Sequence, residues 1–159
     1  MAARWTERHP IPPNRTPKWT HLAARGAGEV ALGPPMAIAT ARDAADLLAP
    51  LFADRSGEML AILHLDGAQC PIALDDWPAA GPDGVDLPMR DIFRAALTCG
   101  AVGLVIAHNH PSGDPRPSRA DIEATRRLAE TAATLGIRLH DHLIFAGAEC
   151  RSFREMGLL

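Results

Sequence analysis

The sequence predicts an α/β fold in which a mixed β-sheet is sandwiched by helices. Three segments carry apolar residues at helical spacing, and the segments between them are short apolar runs of strand length. One run, "AVGLVIA" (101–107), is apolar on both faces, which is typical of a central strand covered by helices. The predicted order of elements is α-β-β-α-β-α-β, which indicates one layered core.

The first elements are a helix and two strands. "TARDAADLLAPLF" (40–52) begins with the cap candidate Thr40 and carries alanine and leucine at helical spacing. "EMLAILHLD" (58–66) predicts a buried strand, and "GAQ" predicts a hairpin turn into the strand "CPIAL" (70–74). The polar stretch "DDWPAAGPDG" (75–84) is predicted to be a loop.

The remaining elements alternate between helix and strand. "LPMRDIFRAALTCG" predicts a helix that starts near Pro88 and ends at Gly100. Its expected inner stripe consists of Met89, Ile92, Phe93, Ala96 and Leu97. After the central strand, "SRADIEATRRLAETAATLG" predicts a helix from the cap Ser118 to the stop Gly136. Its expected inner face contains Ile122, Leu128 and Leu135. "IRLHDHLIFAG" predicts the last strand, and "SFREMGLL" a short terminal segment.

Residues 1–38 differ in composition from the rest of the 159-residue chain. Proline and glycine are frequent there, so we expect an extended and partly disordered arm. Trp5 and Trp19 are candidates for anchoring this arm to the domain or to a partner. Residues 39–159 are expected to form one domain, which is large enough to bury a core.

The composition argues against several classes of protein. A formal net charge of −3 gives no general attraction to nucleic acid. The three cysteines are widely spaced and form no C-x-x-C pair, which argues against a disulfide framework and a cysteine-built zinc site. The first residues lack the apolar core of a signal peptide, and no apolar run is long enough to cross a membrane. We therefore expect a cytoplasmic protein with no membrane partner.

The stretch "AHNHPSGDPRPSRAD" holds candidate metal ligands. His108 and His110 are two residues apart at the end of the central strand, so both imidazoles point to the same side while Asn109 faces away. Imidazole and carboxylate together suit zinc, and the Pro/Gly-rich turn favours a bend that brings Asp121 close. Two histidines, one aspartate and a water molecule would keep the open position that hydrolysis needs.

Two of these residues also have a purely structural explanation. Ser118 and Asp121 match a capping box, in which the acid bonds only a backbone donor at the start of its own helix. The spacing by itself leaves the metal site and the helix cap both open.

The pattern His108-x-His110, seven residues, then Ser118-x-x-Asp121 is that of the JAMM motif, and the chain resembles the bacterial RadC branch of JAB/MPN-type metalloenzymes. The resemblance runs from about residue 40 to residue 159 and includes "PMRDIFRAAL", "LHDHLIFAG" and "SFREMGLL". It implies a cytidine-deaminase-like JAB/MPN fold. It also implies a zinc-dependent hydrolase that cleaves a peptide or isopeptide-like amide bond in a peptide or protein-conjugate substrate.

The resemblance implies a role for each site residue. His108, His110 and Asp121 would bind zinc, Glu58 would be the general base, and Ser118 would bond the oxyanion of the transition state. These roles are chemically consistent, because zinc lowers the pKa of its water and a carboxylate can take the proton. For Glu58 the alternative is a solvated acid at the edge of a strand.

A second histidine pair, in "HDH" (140–142), has the same spacing but no serine and acid after it. It is more typical of packed or surface strand residues. The family also has an Asp-His pair here, so Asp141 or His142 could support the metal site. His64 and Cys99 are interpreted as packing or surface residues.

Two other functions are weighed against the hydrolase. RadC proteins carry a DNA-repair label, so a protein acting on or near nucleic acid is the alternative. The net charge disfavours it, as does the arm, which lacks the helix-hairpin-helix character of longer RadC proteins. A non-catalytic scaffold is disfavoured because every ligand position is filled.

Overall fold

The computed structural model describes residues 36–53, 55–78 and 87–159 of the chain. Most of the predicted arm (1–38), with Trp5 and Trp19, and the second part of the predicted loop (79–84) lie outside the described residues. Ile38, the last residue of the predicted arm, is buried, and its N–H donates to the carbonyl of Gln69 at 2.9 Å.

The described part of the chain forms three helices and five strands. They are α1 (Ala41–Phe52), β1 (Met59–Leu65), β2 (Pro71–Pro78), α2 (Met89–Cys99), β3 (Gly103–Asn109), α3 (Arg119–Thr134), β4 (Arg138–Ala146) and β5 (Glu149–Ser152). The strands form one mixed sheet in the order β2-β1-β3-β4-β5. β3 and β4 run parallel and are joined through α3, whereas the other neighbouring strands pair antiparallel.

Helices cover both faces of the sheet. On one face, α1 packs Leu48 into a core that includes Leu63 of β1. On the other face, α2 and α3 pack Ile92 and Leu128 into a core that includes Ile106 of β3. Because side chains alternate along a strand, β1 and β3 supply both cores and are buried along their whole length. The predicted α/β sandwich with a mixed sheet is confirmed.

The helices start and stop where their cap residues predict. The Thr40 hydroxyl accepts from the Asp43 N–H at 3.1 Å, and the Asp43 carboxylate accepts from the Thr40 N–H at 2.8 Å, which is a complete capping box. α2 ends at Gly100, whose φ of 71° is the left-handed conformation that glycine adopts without a steric penalty.

The loop predicted from Asp75 onward is wrong for its first four residues. β2 continues through Pro78 along β1. Asp75 is buried, and its Oδ2 lies 2.9 Å from Nε2 of His64 on β1, which is also buried. The polar composition of this stretch therefore masked the end of a strand, in which the Asp75 carboxylate is paired inside the protein. His64 is a packing residue, as one of its two interpretations predicts.

Two further expectations about the strands need correction. β3 starts at Gly103, two residues later than predicted. The N–H of Val102 donates to the carbonyl of Leu65, but Val102 itself is not part of the paired strand. β4 is not the last strand: a turn leads into β5, which pairs antiparallel with β4 and ends at Ser152.

Two leucines assigned to inner helix faces are exposed, Leu97 at 59% and Leu135 at 43%. Leu97 follows the buried Ala96 by about 100° around its helix, which carries it past the edge of the buried stripe. Leu135 is the cap residue after the last turn of α3. The buried face of α3 instead includes the polar residues Asp121 and Thr125.

None of the described helices has the length and apolar character needed to span a membrane. All three cysteines, Cys70, Cys99 and Cys150, are free.

Candidate metal centre

Two histidines converge at the end of β3. His108 is fully buried on the face covered by α3, and His110 follows the strand. The backbone N–H of His110 donates to the carbonyl of Phe145 on β4 at 2.7 Å, so the extended course of the chain continues to this residue. The Nε2 atoms of His108 and His110 lie 2.9 Å apart. Both imidazoles therefore point to the same side, as the i, i+2 spacing predicts.

The start of α3 brings Asp121 to the same point. Asp121 is 2% exposed. Its Oδ1 lies 3.3 Å from Nε2 of His108, and its Oδ2 lies 3.5 Å from Nε2 of His110. The turn after His110 thus returns the chain as the sequence predicts.

The capping box at this helix is also present. The Ser118 hydroxyl accepts from the Asp121 N–H at 3.1 Å, and the Asp121 carboxylate accepts from the Ser118 N–H at 2.7 Å. The two explanations of the sequence are therefore compatible, because the cap fixes the carboxylate that faces the imidazoles. Ser118 is exposed. In the capping box its hydroxyl oxygen accepts a hydrogen bond, so the hydroxyl proton is not used by the cap.

Glu58 reaches the histidines from the residue before β1. One ligand atom each from Glu58, His108 and His110 lie within 4.8 Å of one another. The carboxyl of Glu58 is only half-buried. Burial raises its pKa, with a smaller lowering by His110 and a smaller raising by Asp121. Glu58 therefore lies beside the imidazoles, and its role as general base stays a prediction.

Asn109, between the two histidines, points to the opposite face and contacts the segment that carries Glu58. Its Oδ1 accepts from the N–H of Met59 at 2.8 Å, and its Nδ2 donates to the carbonyl of Gly57 at 2.9 Å. The sequence predicts that Asn109 faces away from the site, but it gives no signal for this clamp, since the partners lie about fifty positions earlier in the chain.

The outer nitrogens of both histidines have partners. Nδ1 of His110 lies 2.8 Å from the carbonyl of Asp114, which can only accept, so this nitrogen carries a proton. Nδ1 of His108 lies 2.7 Å from Nε2 of the buried His142. Burial lowers the pKa of His108 to about 4, so its ring is neutral near pH 7.

The chemistry of this donor set fits a metal ion. With the ring proton of His110 on Nδ1, its Nε2 presents a lone pair that faces Nε2 of His108 and the buried carboxylate of Asp121. When several acceptors converge with no donor between them, their lone pairs repel one another, and a bound cation would stabilise the cluster. His108, His110 and a carboxylate of Asp121 or Glu58 could hold such an ion.

Of the "HDH" residues, the structure brings only His142 to the site. The Asp141 carboxylate accepts from the N–H of His142, the hydroxyl of Ser152 and the N–H of Arg154, so it holds β4 to the terminal turn. His140 packs over Gly103, where an added Cβ would lie 2.6 Å from its ring. Thr125, which contacts His142, has no signal in the sequence beyond its position on α3.

Comparison with known proteins finds similarity over the region of the chain that contains the candidate metal centre. A family model for the RadC-like JAB domain matches residues 38–158. The chain is similar to the UPF0758 protein of Salinibacter ruber, with 38% identity over 124 residues, which cover 78% of this chain and 53% of that protein. It is also similar to the UPF0758 protein of Rhodobacter capsulatus, with 40% identity over 107 residues, covering 67% and 50%. The chain thus spans about half the length of the curated relatives it matches.

Proposed function

This chain belongs to the RadC-like JAB domain family, and on that premise we propose that it is a zinc-dependent hydrolase of peptide or isopeptide-like amide bonds. The observation that carries the proposal is the convergence of His108, His110 and Asp121 on one point, with the half-buried carboxylate of Glu58 beside them.

His108, His110 and Asp121 would hold the ion. Zinc in such a set of ligands supplies Lewis acidity, which makes a water molecule more acidic and polarises a carbonyl oxygen. Asp121 suits the role of fixed ligand, because it is buried and bonded to the backbone of Ser118.

Glu58 would move the proton. Its carboxylate accepts a proton from the attacking water as the water oxygen bonds to the carbonyl carbon. It then delivers that proton to the amide nitrogen as the C–N bond breaks. Partial burial supports this role, because a raised pKa brings the carboxyl closer to the pH at which it must both take and give a proton.

Ser118 would stabilise the transition state. Its hydroxyl is exposed, and the cap uses only the oxygen as an acceptor. The proton is therefore available to donate to the oxygen that becomes negative when the tetrahedral centre forms. The substrate class is an amide in a peptide or in a protein conjugate.

Metal analysis of protein purified without chelator tests the site. We expect about one zinc per chain, lost in His108→Ala and Asp121→Ala. The matched control is Asp46→Ala, an exposed aspartate on α1 that pairs with Arg42. A panel of peptide and isopeptide substrates then tests the activity. Full zinc content in His108→Ala, or no cleavage of any substrate by the zinc-loaded chain, would count against the proposal.

A further inference from the structure

A chain of three hydrogen bonds runs from the backbone of α3 to the outer nitrogen of His108. The hydroxyl of Thr125 lies 2.6 Å from the carbonyl oxygen of Asp121 and 2.6 Å from Nδ1 of His142. Nε2 of His142 lies 2.7 Å from Nδ1 of His108. Thr125, His142 and His108 are all buried, so water does not compete for these bonds.

The direction of each bond follows from counting protons. A carbonyl only accepts, so Thr125 donates its single proton to Asp121, and its oxygen must accept from Nδ1 of His142. The ring of His142 is buried and its two nitrogens contact a hydroxyl and another imidazole, so the ring is neutral and its Nε2 carries a lone pair. That lone pair must accept from Nδ1 of His108.

We propose that Thr125 and His142 are positioning residues that fix the tautomer of His108. With its proton held on Nδ1, His108 presents the lone pair of Nε2 to Asp121 and His110. In the other tautomer a proton would occupy the position from which Nε2 binds a metal ion. One hydroxyl proton on α3 thereby sets the state of a ligand two side chains away.

Packing supports the chain of hydrogen bonds from Thr125 through His142 to His108, called here the relay. The ring of His142 stacks on Phe153 with centroids 4.3 Å apart and planes inclined by 21°. The stack fixes the plane of the ring, in which Nδ1 faces Thr125 and Nε2 faces His108. Histidine–ligand contacts of this kind are typically worth about 10- to 100-fold in metal affinity.

The inference deepens the metal site of the proposed function, and only its affinity measurement rests on that function. Nitrogen NMR of metal-free protein labelled at histidine reads the tautomers directly in the unmutated chain. We expect both His108 and His142 to carry their protons on Nδ1. A proton on Nε2 of His142 would overturn the proposal, whether or not the chain binds zinc.

Variants of Thr125 test the same relay by affinity. Thr125→Val removes the hydroxyl at constant shape, and we expect mixed tautomers at His142 and zinc binding weakened about 10- to 100-fold. Thr125→Ser restores both. The control is Thr131→Val, which removes another α3 hydroxyl that bonds a backbone carbonyl, at 2.8 Å from Arg127. Zinc binding by folded Thr125→Val as tight as that of the control would contradict the relay.

Discussion

Asn109 holds the backbone on both sides of Glu58. Its amide accepts from the N–H of Met59 and donates to the carbonyl of Gly57, so the backbone that carries Glu58 is held on both sides. The His-Asn-His triplet thus aims two imidazoles from one face of β3 and fixes a carboxylate from the other.

We expect Asn109→Ala to reduce turnover more than it reduces zinc affinity, because the ligands remain while Glu58 loses its backbone clamp. The buried N–H of Met59 and the carbonyl of Gly57 lose their partner, so the free energy of unfolding should also fall by about 1–3 kcal/mol. Cleavage rate, zinc titration and urea unfolding measure the three effects. Leu104→Ala, a buried β3 variant away from the clamp, controls for destabilisation. Equal loss of turnover in both variants would show that Asn109 acts only through stability.

Glu58→Gln should leave zinc bound and lower turnover by about 10²- to 10⁴-fold, because the amide keeps the shape of the side chain and cannot accept the proton. Zinc content and cleavage rate are measured on the same preparation. Glu149→Gln, an exposed residue at the start of β5, is the matched control. The role of Glu58 as base is wrong if the variant retains full turnover.

Leu128→Ala should reduce the free energy of unfolding by about 2–5 kcal/mol, because this side chain is fully buried between α3 and the sheet. Leu135→Ala, at the C-cap of the same helix and 43% exposed, should change it by no more than about 0.5 kcal/mol. Urea unfolding of both proteins makes the comparison. Similar losses would mean that Leu135 is covered in solution.

Asp141→Asn should destabilise the protein by about 1–3 kcal/mol, because the new amide group places a donor among three donors. Zinc affinity should change far less than in Thr125→Val, since Asp141 contacts no candidate ligand side chain. Unfolding and zinc titration are again the measurements. A loss of zinc binding larger than the one in Thr125→Val would reverse the roles assigned to Asp141 and His142.

Acid should destabilise the fold through His64. Burial lowers the pKa of this histidine, and the neighbouring Asp75 opposes the shift by less. The unfolded chain therefore binds a proton below a pH of about 6.5 that the folded chain does not bind. The free energy of unfolding decreases as the pH falls from there toward the folded pKa.

Urea unfolding of metal-free protein across this pH range measures the effect. The double variant His64→Leu with Asp75→Leu replaces the whole pair by apolar groups and should flatten part of the pH dependence. An unchanged pH dependence in that variant would assign the acid sensitivity to other groups.

Local patterns predicted most of the fold and the convergence of the candidate ligands. Caps such as Thr40 and Gly100 act within a few residues, and the contact of His108 with Asp121 depends on a short turn and a helix start. The family match confirms the predicted resemblance and fold class.

What the sequence did not reveal depends on partners far along the chain or on pairing with a neighbouring strand. Asp75 reads as a loop residue because its partner, His64, is on another strand. β5 has four residues, too few for a periodic signal, and exists through its pairing with β4. The clamp by Asn109 and the relay through Thr125 combine residues whose spacing follows no helical or strand period.

The candidate ligands and their supports all come from one crossover, β3–α3–β4, whereas Glu58 arrives on the antiparallel neighbour β1. The candidate metal ligands and the proposed proton carrier are therefore encoded in separate stretches of the gene. Substitution of Glu58 in a descendant would remove the proposed proton transfer and leave the candidate metal ligands in a folded domain. Such a descendant would be free to become a binding protein without rebuilding its core.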